Sequence, residues 1–287
     1  MQGNAKPESA DRCAVSFSPP RLAHAMLSLG RTISQVTHTK QRIIWNPFST
    51  EPTSTRFWKT VDLRERGDAL TIMLDSRSLK TPLGKPLFLP RSKRLAATLI
   101  VAEWKNQRNV LKSHALPMTS LVARAIDTMH EATTREDVHN ALLKYLDTDT
   151  ICFHQDHPES LVRLQDDLWN PLLTWARDTF DVELLTFDSV LFHAQPDATK
   201  RKFYKVLQKF DAWQMAAMER VTLTTKSFII ALALVHGRIT AEQAALASQV
   251  EVTSQIERWG EVEDSHDVDH HDVRRHIGSA ACLLALS

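Results

Sequence analysis

The densest group of reactive side chains in this 287-residue sequence lies near its end: His266, Asp267, Asp269, His270, His271, Asp272 and His276. On a helix, His266 and His270 share a face. With Asp269 or Asp272 as an oxygen donor they would make a three-ligand metal site of the kind a metal-dependent hydrolase uses. The same carboxylates also suit a helix start, where they complement the macrodipole. No H-E-x-x-H spacing or apolar frame surrounds them. Other catalytic patterns are poorer. The G-x-S-x-G elbow of a serine nucleophile is absent. His154 lies two residues from Cys152, but nothing in the sequence holds that base against the thiol. Asp166-Asp167 and Glu261/Glu263/Asp264 could share acid–base work but read as solvated faces. The patterns together speak against a catalytic centre, a bound metal or a cofactor.

Seven tryptophans against two tyrosines give the chain its other distinctive chemistry. Tryptophan supplies large contact area at low entropic cost, in cores and at binding surfaces alike. Trp169 and Trp175 fall on an apolar helical stripe and read as core. Trp104 and Trp259 sit near helix ends, where an indole can face either way.

The elements that must position these groups change character along the chain. Residues 57–63 and 69–74 read as strands around the turn Arg66-Gly67-Asp68. A second short pair, 78–81 and 86–89, flanks Pro82-Leu83-Gly84-Lys85. Pro82, Pro86 and Pro90 would each remove a ladder donor, which confines these strands to edges. From Ser92 the period becomes helical. Thr119 or Ser120 is the expected cap of a helix carrying Leu121, Ala125 and Met129, and Thr134 with Asp137 is expected to open the next. A longer helix starts at Pro158 and must kink or break at Asn170-Pro171. An extended piece covers 182–191. Helices follow over 197–209, 212–221, 225–236, 240–259 and 270–286, with a Thr240/Gln243 capping box and Gly237 as a C-terminal cap. The expected fold is α+β: a small β-rich unit over 51–115 and a larger helical domain over 116–287.

Composition narrows the function further. The seven glycines are nowhere closer than 17 residues, so the chain has no phosphate-cradling loop and no dinucleotide fingerprint. A net charge of +1 gives no footing for nucleic-acid binding. The longest apolar run, Phe228 to Val235, is too short to enter a membrane as a spanning helix. Cys13, Cys152 and Cys282 are scattered, as suits a reducing compartment. Residues 1–50 hold six basic and two acidic residues, and Arg12 to Thr50 holds no carboxylate at all. Leu22, Met26, Leu29, Ile33 and Val36 recur there at helical spacing. An acid-free, Arg-bearing amphipathic start is the mark of a mitochondrial transit peptide, a plain disordered tail being the alternative, and residues 1–50 are expected to lie outside the fold.

Seven segments occur in an order and spacing that resemble the ATP synthase assembly factor 2 family. They are Leu74-Asp75-Ser76-Arg77-Ser78-Leu79-Lys80-Thr81-Pro82 with Leu87-Phe88-Leu89-Pro90, Ala102-Glu103-Trp104, Pro117-Met118-Thr119, Tyr145-Leu146-Asp147-Thr148-Asp149, Trp169-Asn170-Pro171-Leu172, Glu251-Val252-Thr253-Ser254-Gln255-Ile256, and Trp259-Gly260. The chain departs from the family pattern at Ser76 (usually Gly), Asn170 (usually Asp) and Val252 (often acidic). The resemblance implies a non-enzymatic chaperone of the mitochondrial matrix that uses no nucleotide. Its client would be the newly imported alpha subunit of the catalytic sector of ATP synthase, kept from aggregating until a beta subunit replaces the chaperone. A general matrix adaptor with another client is the further alternative. Glu251 and Gln255, four apart on one helical face, with Trp259 beyond them, are the expected client contacts; a buried polar pair tying two helices is the competing reading. Trp104 is expected to join the β unit to the helices.

Overall fold

The computed structural model describes residues 55–286 except 130, 190–193 and 262–264, and within residues 50–287 the chain forms a single compact unit. The expected targeting segment, 1–50, lies outside the described residues.

The fold is α+β. A four-stranded antiparallel sheet comes first: β1 (Val61–Arg66), β2 (Ala69–Leu74), β3 (Arg77–Ser78) and β4 (Phe88–Pro90). β2 is central, pairing β1 along its whole length and both β3 and β4 on its other edge. It buries Leu70, Ile72 and Leu74 on one face by simple alternation. Gly67, at φ 60°, turns β1 into β2. At the β2–β3 turn the left-handed residue is Asp75 (φ 52°), not Ser76. Its carboxylate repays that conformation by accepting the Lys59 and Thr60 amides at 3.0 and 2.8 Å, a bond an aspartate can make and a glycine cannot. Pro90 sits in the edge strand β4, where no donor is missed.

Helices follow in the order α1 (Arg94–Asn106), α2 (Pro117–Asp127), α3 (Ala132–Asp147), α4 (Glu159–Leu168), α5 (Asn170–Phe180), α6 (Asp197–Gln208), α7 (Ala212–Thr225), α8 (Phe228–Val235), α9 (Ala241–Ser248), α10 (Val250–Trp259) and α11 (Ser265–Leu284). α1 lies across the sheet and also touches α2 and α11, so the hydrophobic core runs without a break from Trp58 to Leu283. At its centre is α8, whose residues Phe228 to Leu234 are all buried, with α3, α5, α7, α9 and α11 packed about it. The break expected at Asn170-Pro171 falls at Trp169, and the Thr240/Gln243 capping box and the Gly237 cap (φ 66°) are present.

Several boundaries differ from the expectation. The first strand begins at Val61 rather than 57. α2 starts at Pro117, which takes the first-turn position where its missing N–H costs nothing; Thr119 and Ser120 lie inside the helix. α3 starts at Ala132, and the Thr134 hydroxyl bonds the Glu131 carboxylate at 2.8 Å instead of capping. The single helix expected over 240–259 is two, divided at Gln249 (φ −112°, ψ 16°). The last helix starts at Ser265, five residues early.

Candidate functional site

Most of the distinctive segments turn out to hold helices by their ends. In Ala102-Glu103-Trp104, the Glu103 carboxylate reaches from α1 to the first turn of α2. It accepts the Met118 and Thr119 amides at 2.6 and 2.9 Å and the Thr119 hydroxyl at 2.6 Å. An anion there satisfies orphan amides and opposes the helix dipole. Burial pushes its carboxyl up from the ordinary range, against the downward pull of those three bonds. The neighbouring Trp104 is buried, 8% exposed, and its indole N–H donates to the same Thr119 hydroxyl at 3.1 Å. Its ring packs on Trp58 at 4.9 Å between centroids. Asp147 accepts the Gln195 amide and the Lys200 ammonium, each at 2.8 Å. Asp149, fully buried, takes the Ile229 amide at 2.9 Å and the Ile151 amide at 3.2 Å, so it caps the buried helix α8 from the end of another segment. Desolvation raises its carboxyl to about 6, although Ser227 and three amides bond it and pull downward. The Trp169 indole donates at 2.7 Å to the carbonyl of Ala247 in the last turn of α9.

The Glu251–Trp259 segment is different. α10 is fastened by one face only: Val250 and Ser254 are buried, Ser254 Oγ meets Ser160 Oγ of α4 at 2.8 Å, and Glu257 binds Arg163 of α4 at 3.0 Å. Glu251, Val252, Gln255 and Trp259 point outward. The competing reading of Glu251 and Gln255 as a buried pair is therefore overturned: both are exposed, and neither bonds the other. Two positions explain why. The division at Gln249 turns α10 relative to α9, and Ser254 takes the inward position. Among the described residues the Glu251 carboxylate has no hydrogen bond and no ion pair. Protein packed around it pushes its carboxyl upward, yet the side chain itself is open; water at the carboxylate screens that effect, so the openness governs. Trp259 is 70% exposed, and the Arg258 guanidinium lies 5.0 Å above its ring. Beside the ridge, α4 presents an open depression lined by Glu159, Ser160, Val162, Arg163, Asp166 and Asp167. The five carboxylates of Glu159, Asp166, Asp167, Glu251 and Glu257 outnumber the guanidiniums of Arg163 and Arg258, so ridge and depression together form a net acidic surface with an exposed indole. Asp166 and Asp167 read from sequence as a solvated face, and they are exposed; Glu159 and Arg258 were not singled out, and the adjacency of Arg258 to Trp259 was the available signal.

Among the described residues, the His/Asp cluster is not gathered into a site. His270 and His271 are exposed on α11 and face each other edge-on at 5.5 Å. Asp272 is engaged by Arg275 and by His276 at 3.2 Å. The side chain of His266 lies outside the described residues. Among the described residues, no three His, Cys, Asp or Glu side chains are placed to share a metal. Nor is any described helix long and apolar enough to cross a membrane. Cys152 is buried, and desolvation with the nearby Asp149 charge raises its thiol far above the range of a nucleophile.

Among the described residues, then, α10 presents an exposed polar–aromatic ridge on a helical scaffold, with no gathered catalytic or metal centre. Residues 55–177 match the family described as ATP12 chaperone protein. "Protein atp12, mitochondrial" of Schizosaccharomyces pombe is 33% identical, over 81% of this chain and 83% of its own length. "Protein ATP12, mitochondrial" of Saccharomyces cerevisiae is 32% identical, over 80% and 83%. Among solved structures, Atp12 from Paracoccus denitrificans superposes with a TM-score of 0.67 at 27% identity, covering 80% of this chain and 97% of that one. A putative chaperone from Agrobacterium tumefaciens gives 0.70 at 29%, covering 91% and 97%. The chain belongs to the ATP12 chaperone family.

Proposed function

We propose that this chain is an assembly chaperone of mitochondrial ATP synthase that works in the matrix, binds the unassembled alpha subunit of the catalytic sector and prevents its aggregation, by contact and without catalysis. Membership of the ATP12 chaperone family and the mitochondrial names of both yeast relatives support the reading. The observation that carries the contact surface is the free ridge of α10: an unpaired Glu251 carboxylate, Gln255 and a 70% exposed Trp259 on a helix locked to α4. Rigid presentation lowers the entropic cost of binding. An acidic surface with an open indole fits a basic or amide-rich segment of the client. In this reading residues 51–115 are the platform and 116–287 carry the client surface.

The test is Glu251→Lys, assayed for folding and for suppression of alpha-subunit aggregation on the same preparation. An exposed, unpaired position predicts a stability change within about 0.5 kcal/mol. Aggregation suppression is expected to be lost, with Trp259→Ala showing a similar loss. Full suppression by Glu251→Lys removes the residue from the surface, and a lowered melting temperature assigns it to the fold.

A further inference from the structure

Where α2, α7 and α11 pack on one another, three guanidinium groups meet two carboxylates. Two of the three are matched. Arg124 grips Glu219 through two bonds of 2.8 and 2.7 Å. Arg275 binds Asp272 and the His114 carbonyl, and Asp272 is shared with His276. Arg220 of α7 is left over. It lies close enough to Glu219, Asp272, Arg124 and Arg275 to feel all four charges, yet among the described residues no carboxylate comes within ion-pair distance. Its one side-chain bond goes to a neutral group, Ser120 Oγ, at 3.2 Å.

A guanidinium offers five donors in a planar fork. Arg220 is half-buried, and desolvation is the dominant influence on it, lowering its pKa. A cation held partly out of water without its own counter-ion is costly unless something supplies one. We propose that Arg220 and Ser120 form a carboxylate-recognition site that takes one acidic side chain of a bound partner protein. The charge count favours a monoanion: one added carboxylate matches the one unpaired cation, whereas phosphate would bring surplus charge beside Glu219 and Asp272. Leu223, three residues along α7 and 45% exposed, offers an apolar flank to the stem of such a side chain. The site lies on different elements from α10 and does not depend on the identity of the client.

The test follows the Arg220 Nε–H and Ser120 amide signals of the full chain by NMR, during titration with sodium acetate, phosphate or chloride at constant ionic strength. A saturable shift with acetate, none with chloride, and loss of the acetate response in Arg220→Met is the expected result. Because Arg220 has no carboxylate partner to strand, Arg220→Met is expected to melt within about 2 °C of the parent or above it. Should that variant fail to fold, or melt well below the parent, the arginine serves the fold and the proposal is overturned. Equal, unsaturating drift in all three salts also overturns it. Saturation by phosphate but not acetate replaces the carboxylate with a phosphate site and overturns the proposal as stated.

Discussion

Glu103 and Trp104 are adjacent in sequence and converge on one hydroxyl, that of Thr119, which donates to the carboxylate and accepts from the indole. Trp104→Arg would force a guanidinium into a site that is 8% exposed, against the Trp58 ring. The expected loss is about 4 kcal/mol, or a melting temperature lower by about 10 °C. Thermal denaturation checks it, and an unchanged melt would place the ring on the surface. Asp149 gives the pH-dependent counterpart. Its carboxyl titrates at about 6 in the folded chain, against a reference value of 3.8. The stability it lends is therefore complete below the reference value and lost as pH rises through the folded value. The stability of the parent relative to Asp149→Asn should rise as pH falls from 6.5 to 4, by up to about 3 kcal/mol. Urea denaturation across that window measures it; a pH-independent difference would show that the carboxyl is not perturbed. Sequence led to the expectation that Trp104 joins the β unit to the helices, but it could not supply the ring's partner, Trp58, which belongs to a segment before the sheet.

At the scale of elements, α2 depends on a cap from outside itself. Glu103→Ala would leave the Met118 and Thr119 amides without an acceptor, at a cost of about 2 kcal/mol. Hydrogen exchange should quicken at those two amides first. Unchanged protection there would mean water replaces the carboxylate without loss. Capping from a distance also explains which element boundaries were legible. Thr240/Gln243 lie within one turn and were readable as a capping box, and the break at Trp169 follows from Pro171 alone. The starts of α2 and α3 were misplaced because local Thr and Ser side chains look like caps, whereas Glu103, fourteen residues upstream of Pro117, does the work for α2 and Ala132 begins α3 with no side-chain cap at all. The division between α9 and α10 has no proline or glycine to announce it, and it is this division that frees Glu251 and Gln255.

For the whole molecule, the α+β order was readable because the period of the apolar residues changes once, near Ser92. The packing was not: nothing local says that α1 spans sheet and helices, or that Trp169 reaches the end of α9. One prediction belongs to this scale. Residues 1–50, fused to a reporter, should carry it into mitochondria, and their deletion should strand the chain in the cytosol. Import that persists without them would sink the assignment of that segment.

α8 is the most apolar stretch of the chain, and its N-terminal amide is met by Asp149, 80 residues earlier. A polypeptide emerges from a ribosome or a translocase with its N-terminus leading. The anion is therefore already outside when Phe228 to Val235 appear, and so are the helices α3, α5 and α7 against which they pack. This member of the ATP12 chaperone family thus makes its own stickiest segment late, after three of the helices against which that segment packs.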